Sequence, residues 1–134
     1  MDAAELQATL DRIAADYVKR LHLRVETVAP GEVTLTLPVS PELVHGGGVL
    51  CGQAIMSAAD TAMLLAMIAQ LGEFRPMTTV QLQTSFLRPV PKDSVAVAIT
   101  ARVLRSGKSL CYGNVDFRVD EKLAAHATTT YALI

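Results

Sequence analysis

Asp60 is the only charged residue in the run Gln53 to Leu71, QAIMSAADTAMLLAMIAQL. A carboxylate set in so apolar a segment loses its hydration on burial, which disfavours the charged form and equips it to take a proton as a general base or to attack an electrophilic carbon. It could equally do no more than satisfy a neighbouring backbone group, because an unpaired buried charge is costly. Gly52 stands at the head of the same run, where a helix N-terminus would offer unpaired N–H groups and the positive end of the helix dipole to a developing oxyanion. His45 opens the glycine loop His45-Gly46-Gly47-Gly48. Its imidazole titrates near neutrality and can act as a base or orient water, or simply face solvent. Cys51, just before Gly52, occupies a place where a thiol can become reactive, although a small buried cysteine is the commoner outcome.

On a helical wheel Gln53, Met56, Ser57, Asp60, Met63, Leu64 and Met67 fall on one broad face. If Asp60 faces a substrate, Gln53, Met56, Met63 and Leu64 are its companions, and thioether side chains suit adaptable apolar ligands as well as plain core. Arg88, Arg105 and Lys108 fall at expected turns, and Gly107 would let the backbone approach a phosphate. Basic turn residues are just as ordinary when merely solvated.

These groups need a scaffold. Residues 3 to 19 space Leu6, Leu10, Ile13, Ala14 and Tyr17 as an amphipathic surface helix. Leu23 to Val28 and Glu32 to Pro38 alternate apolar and polar around Pro30-Gly31, the pattern of a hairpin. A loop follows from Ser40 to Gly52, and then the run from Gln53 to Leu71, apolar on every side of the wheel and closed by Gly72, predicts a helix buried all round. Its length approaches that of a membrane span, but a central Asp60 and no basic flank predict a core helix instead. Strands are expected over Met77 to Leu87, Ser94 to Leu104, Ser109 to Val119 and Leu123 to Leu133, each joined to the next by a turn between antiparallel neighbours. The layout is α+β, an antiparallel sheet around one long helix.

The 134 residues suit one domain spanning the chain. With 12 Lys and Arg against 13 Asp and Glu, the net charge of -1 argues against a protein that grips nucleic acid or an anionic membrane. The composition, 51% apolar and 19% charged, predicts that some apolar surface meets another subunit. Cys51 and Cys111 form no CxxC pair and no metal-ligand spacing, and an acidic N-terminus lacks a secretory pattern, so a cytoplasmic, metal-free protein is expected.

The glycine loop, Ala59-Asp60-Thr61-Ala62, the strand Thr79 to Phe86 ending in Phe86-Leu87-Arg88-Pro89, and the turn Leu104 to Leu110 together resemble hotdog-fold acyl-CoA thioesterases of the phenylacetate-pathway type, over about residues 20 to 134. The resemblance implies a hotdog fold, a long central helix wrapped by a curved antiparallel sheet. In that family a His-Gly-Gly sequence commonly lies nine residues before a catalytic carboxylate, with Asn or Gln six residues earlier. Holding Asp60 fixed aligns the family His with Cys51, its first Gly with Gly52, its second with Gln53 and the Asn or Gln with His45. No insertion is then needed. The resemblance implies Asp60 as base or nucleophile, the Gly52 amide as oxyanion donor, Thr79 beside the attacking water and His45 in the water-orienting position. It also implies acyl-CoA as substrate, with coenzyme A as part of that substrate and no separate cofactor, and a homodimer or a tetramer of two dimers whose active sites lie between subunits; the turn residues Arg88, Arg105 and Lys108 with Gly107 are consistent with the nucleotide end of coenzyme A.

Two other readings stand beside this one, the first motivated by Cys51 and Gln53, which depart from the family motif. One is an acyl-CoA binding module without chemistry. The other is a dehydratase of 3-hydroxyacyl thioesters, which would pair His45 with Asp60 of a second subunit.

Overall fold

A computed structural model describes every residue from Met1 to Ile134. The chain forms α1 (Ala3–Ile13), α2 (Asp16–Lys19), β1 (Arg24–Ala29), β2 (Glu32–Pro38), a 3-10 turn (Pro41–Leu43), α3 (Gly52–Leu71), β3 (Met77–Phe86), β4 (Ala96–Ser106), β5 (Leu110–Val119) and β6 (Lys122–Leu133). One antiparallel sheet has the order β1-β2-β4-β5-β6-β3. Helix α3 packs across it, most extensively on β4 and β2.

Small residues set the closeness of that packing. Ala58, Ala59, Ala62 and Ala66 are fully buried, letting the helix axis approach the sheet while Met63, Leu65, Met67 and Ile68 fill the space around them. Burying a side chain of that larger kind stabilises by about 1.5–3 kcal/mol. Gly113 of β5 lies beneath the helix, and a Cβ there would come within 2.6 Å of the Met63 sulfur. Gly72 closes the helix in a left-handed conformation at φ 81°, its N–H donating to the Ile68 carbonyl at 2.8 Å. Although α3 is the one helix long and apolar enough to cross a bilayer, it is the buried core helix.

Four expectations change. The helix foreseen over residues 3 to 19 breaks at Ala14 and Ala15, which are extended at ψ 143° and 152°, so α2 leaves the line of α1 and lays Tyr17 toward α3. Burial of α3 is not complete on all sides: Gln53 and Met56 are exposed, and Ser57, Asp60 and Leu64 are half-buried, so a strip along one face stays open. Strand β4 runs to Ser106, which takes Arg105 out of the turn and into the sheet. Finally, β3 and β4 are not hairpin neighbours, because β3 pairs with β6 and β4 with β2. The segment after Arg88 therefore crosses from one side of the sheet to the other, which a six-stranded sheet wrapped on a central helix requires.

Candidate active site

The centre of the site comes from α3 and two neighbouring strands. Thr79 of β3 and Tyr131 of β6 are directly opposite each other in the sheet. Both end on Asp60: Thr79 Oγ1 donates to Asp60 Oδ1 at 2.6 Å, and the Tyr131 hydroxyl reaches the same Oδ1 at 2.7 Å and the Asp60 carbonyl oxygen at 2.6 Å. Oδ2 makes no hydrogen bond within the chain. One carboxylate oxygen is thus pinned and the other is left to face the open strip of α3.

A bulge makes this possible. From Thr79 to Leu82 is an odd number of steps, so in a regular strand they would point to opposite faces. The register shifts between Thr79 and Gln81, and Val80 is the extra residue. Thr79 and Leu82 then both face α3. The Thr129 hydroxyl, fully buried, donates to the Gln81 carbonyl at 2.8 Å and satisfies the backbone at the bulge.

Tyr131 was not among the residues the sequence singled out. Burial, and next to it the Asp60 carboxylate, push its hydroxyl far above the ordinary tyrosine range, so it stays a protonated donor. Its signal was available. On β6 it shares the inner face with Ala125, Ala127 and Thr129, and a tyrosine among small inward residues must find a partner for its hydroxyl.

Gly52 is the first residue of α3. No side chain caps this terminus, so the Gly52 amide has no partner there. It borders an open cavity of about 270 Å3 formed with Val49, Leu50, Ile55 and the segment Phe86 to Val90. The Phe86 ring lies so close that a Cβ on Gly52 would sit 3.3 Å from it. Eight residues separate Gly52 from Asp60, a rise of about 12 Å along the helix. One subunit therefore does not bring the amide and the carboxylate onto the same carbonyl group.

Other residues fall elsewhere. His45 is exposed, and its Nδ1 accepts from the Gly47 N–H at 2.8 Å, so the ring folds back on its own loop and is not joined to Asp60. Gln53 and Met56 lie exposed on the open strip with Leu64 half-buried beside them. Met63 does not. It is wholly buried against Gly113 and belongs to the core, because a three-residue step from Asp60 turns it under the sheet. The expected cluster of Arg88, Arg105 and Lys108 separates within one subunit. Arg88 follows β3 and donates its N–H to Ala124 at the start of β6, whereas Arg105 pairs with Tyr112 opposite Thr130 near the other end. The six-residue step along β6 is roughly 20 Å. Gly107 has a structural duty, since a Cβ there would stand 2.7 Å from the Leu110 carbonyl oxygen that closes the β4–β5 turn. No three His, Cys, Asp or Glu side chains gather in a way that could hold a metal ion.

Residues 47–127, more than half of the chain, match the family model described as the thioesterase superfamily. The chain belongs to the thioesterase superfamily. It is a thioester hydrolase of the hotdog fold, as the resemblance implied. SSO2140 of Saccharolobus solfataricus, named a candidate esterase, is 30% identical over 117 residues, which make up 87% of this chain and 81% of that one. Among solved structures, the conserved protein PA5202 from Pseudomonas aeruginosa is similar with a TM-score of 0.85 and 27% identity, covering 92% of this chain and 98% of that one. The fold is also that of the E. coli PaaI protein from the phenylacetic acid degradation operon, at a TM-score of 0.86 and 21% identity over 98% of this chain and 93% of that one.

Proposed function

We propose that this thioesterase hydrolyses an acyl-CoA, with Asp60 as the general base. The observation that carries the proposal is the asymmetry of the Asp60 carboxylate, with Oδ1 held by Thr79 and Tyr131 and Oδ2 free on the open face of α3. Oδ2 takes a proton from water as the water oxygen bonds to the thioester carbonyl carbon. The carbonyl oxygen gains negative charge, which a backbone N–H at a helix N-terminus stabilises. The carbon–sulfur bond then breaks, and the coenzyme A thiolate leaves with the proton that Oδ2 had taken, which returns Asp60 to its charged form. Coenzyme A enters as part of the substrate, and the residues named supply the chemistry without a further cofactor.

The oxyanion donor in this reading is Gly52 of a second copy, because Gly52 and Asp60 of one chain stand about 12 Å apart on a single helix. Strand β3 supports the pairing. It is an edge strand of ten residues, MTTVQLQTSF, with no charge and no proline, largely exposed. Sheet edges without such guards pair readily with another chain. Two copies joined along β3 form the homodimer, and a tetramer would bring two such dimers together. The two cysteines are free, which suits a reducing cytoplasm.

The test is Asp60→Asn, which keeps the shape and loses the base. Release of free thiol from an acyl-CoA panel should fall by 10²-fold or more, with the oligomer intact. Undiminished hydrolysis by the folded variant would overturn the role of Asp60. Tight acyl-CoA binding by the wild-type protein with no thiol release would select the binding-module reading.

A further inference from the structure

Each end of β3 is tied to one of the two groups that the proposed reaction needs. At its start, Thr79 Oγ1 donates to Asp60 Oδ1 at 2.6 Å. At its end, the Phe86 ring lies against Gly52, 3.3 Å from where a Cβ would stand. That ring is half-exposed and lies outside the hydrophobic core, as does Leu87 beside it. Because Phe86 touches Gly52 within one chain, it travels with the Gly52 amide. A second copy that brings its Gly52 amide to Asp60 therefore brings its Phe86 to Thr79.

This condition sets a register. Directly opposed residues of an antiparallel pair point to the same face of the sheet. The bulge makes Thr79 and Gln81 consecutive in the ladder, so Thr79, Leu82, Thr84 and Phe86 share the face toward α3. Setting Thr79 opposite Phe86 of the second copy then sets Gln81 opposite Ser85, Leu82 opposite Thr84, and Gln83 opposite itself. These pairs occupy the regular part of the strand, Gln81 to Phe86, which keeps unbroken register with β6 on its other side. The bulge stays at the margin. Strand β3 carries no charge, so no like charges meet across the pairing.

Resting on the thioesterase reading with its shared site, we propose that two copies pair along β3 about a two-fold axis at Gln83, and that Phe86 of the second copy walls the Asp60 site. The ring covers the Gly52 amide and packs on the apolar atoms beside the thioester carbonyl. Such cover keeps bulk water from the developing oxyanion, where a backbone N–H then stabilises charge more strongly.

Gln83→Cys tests the axis. Opposed Cα atoms in an antiparallel pair are about 4.5–5.5 Å apart, within the reach of a disulfide. Mild oxidation should join Gln83→Cys copies into covalent dimers on a non-reducing gel, against a wild-type control. Gln81→Cys and Ser85→Cys each lie four steps, about 13 Å, from the same residue of the other copy. Neither should join when oxidised alone, and the two should join when co-expressed. Gln83→Cys copies that do not join, or Gln81→Cys copies that join alone as fast, would overturn the register.

Phe86→Ala tests the wall. It should lower kcat/KM for acyl-CoA about tenfold or more, and Phe86→Tyr, which keeps the ring, should restore it. Co-expressed with Asp60→Asn, each mixed dimer keeps one whole site, with Asp60 from one chain and Gly52 with Phe86 from the other. Turnover should then reach roughly a quarter of the wild-type rate. A mixture less active than Phe86→Ala alone, with mixed dimers present by native mass spectrometry, would assign the ring to the Asp60 of its own chain and overturn the proposal, as would an unchanged kcat/KM in Phe86→Ala. Wild-type thiol release judges the thioesterase reading by itself, and the cross-links are read without turnover.

Discussion

The Tyr131 hydroxyl lies 2.7 Å from Asp60 Oδ1 and 2.6 Å from the Asp60 carbonyl oxygen, so a single phenol holds both the side chain and the main chain of one residue. A residue gripped in this way cannot change rotamer freely, and the orientation of Oδ2 follows from the grip on Oδ1.

Tyr131→Phe tests that hold. The ring fits the same space, so the fold should survive with a loss of about 1–3 kcal/mol from the missing hydrogen bond to a charged group. Because a misplaced catalytic group costs up to about 10²-fold, kcat should fall 10- to 100-fold with KM little changed. Steady-state kinetics beside denaturant unfolding separates the two effects, and an unaltered kcat would show that Thr79 alone positions Asp60.

The same phenol makes stability depend on alkaline pH. Its folded-state value is raised far above the unfolded value of about 10, by burial first and by the Asp60 charge second. Above pH about 10 the unfolded chain loses this proton while the folded chain keeps it, so the unfolded state binds fewer protons and stability falls as pH rises. Below that pH the contribution is constant. Unfolding free energies from denaturant titrations at pH 9 to 11.5 should decline by up to about 1.4 kcal/mol per pH unit more steeply in the wild type than in Tyr131→Phe. Parallel curves would contradict the burial of a neutral phenol.

Gly113→Ala addresses the seat of α3. The added methyl would run into the Arg102 carbonyl oxygen of β4 and stand 2.6 Å from both Cε and the sulfur of Met63, in a core with no room to spare. Overpacking of this sort costs about 1–3 kcal/mol, which thermal or urea unfolding would register. A variant as stable as the wild type would show that both Met63 and the β4 backbone at Arg102 can give way.

Much of this is legible in the sequence. The α+β layout, the core helix and Asp60 within it follow from one long apolar run and the alternating strands after it, and Thr79 followed from the family resemblance. Tyr131 is 71 residues from Asp60 in the chain, and its pairing with Thr79 depends on a bulge that strict alternation does not announce. Ala14 and Ala15 gave no warning of a helix break, since alanine is the best helix former. The choice of β6 as the partner of β3 is likewise tertiary, and it separated Arg88 from Arg105 although both looked like residues of neighbouring turns.

The central claim is that one active site needs Asp60 from one copy and the Gly52 amide from another, and mixed dimers test it most directly. Gly52 is the first residue of α3, where proline is tolerated, so Gly52→Pro removes the N–H while keeping a helix start. Its Cβ needs only a small shift of the half-exposed Phe86 ring. Each variant alone, Asp60→Asn or Gly52→Pro, should be nearly inactive. Co-expressed, half of the dimers are mixed and each has one intact site, so hydrolysis should return to roughly a quarter of the wild-type rate. A co-expressed mixture no more active than its two parents, with mixed dimers present by native mass spectrometry, would contradict the shared site.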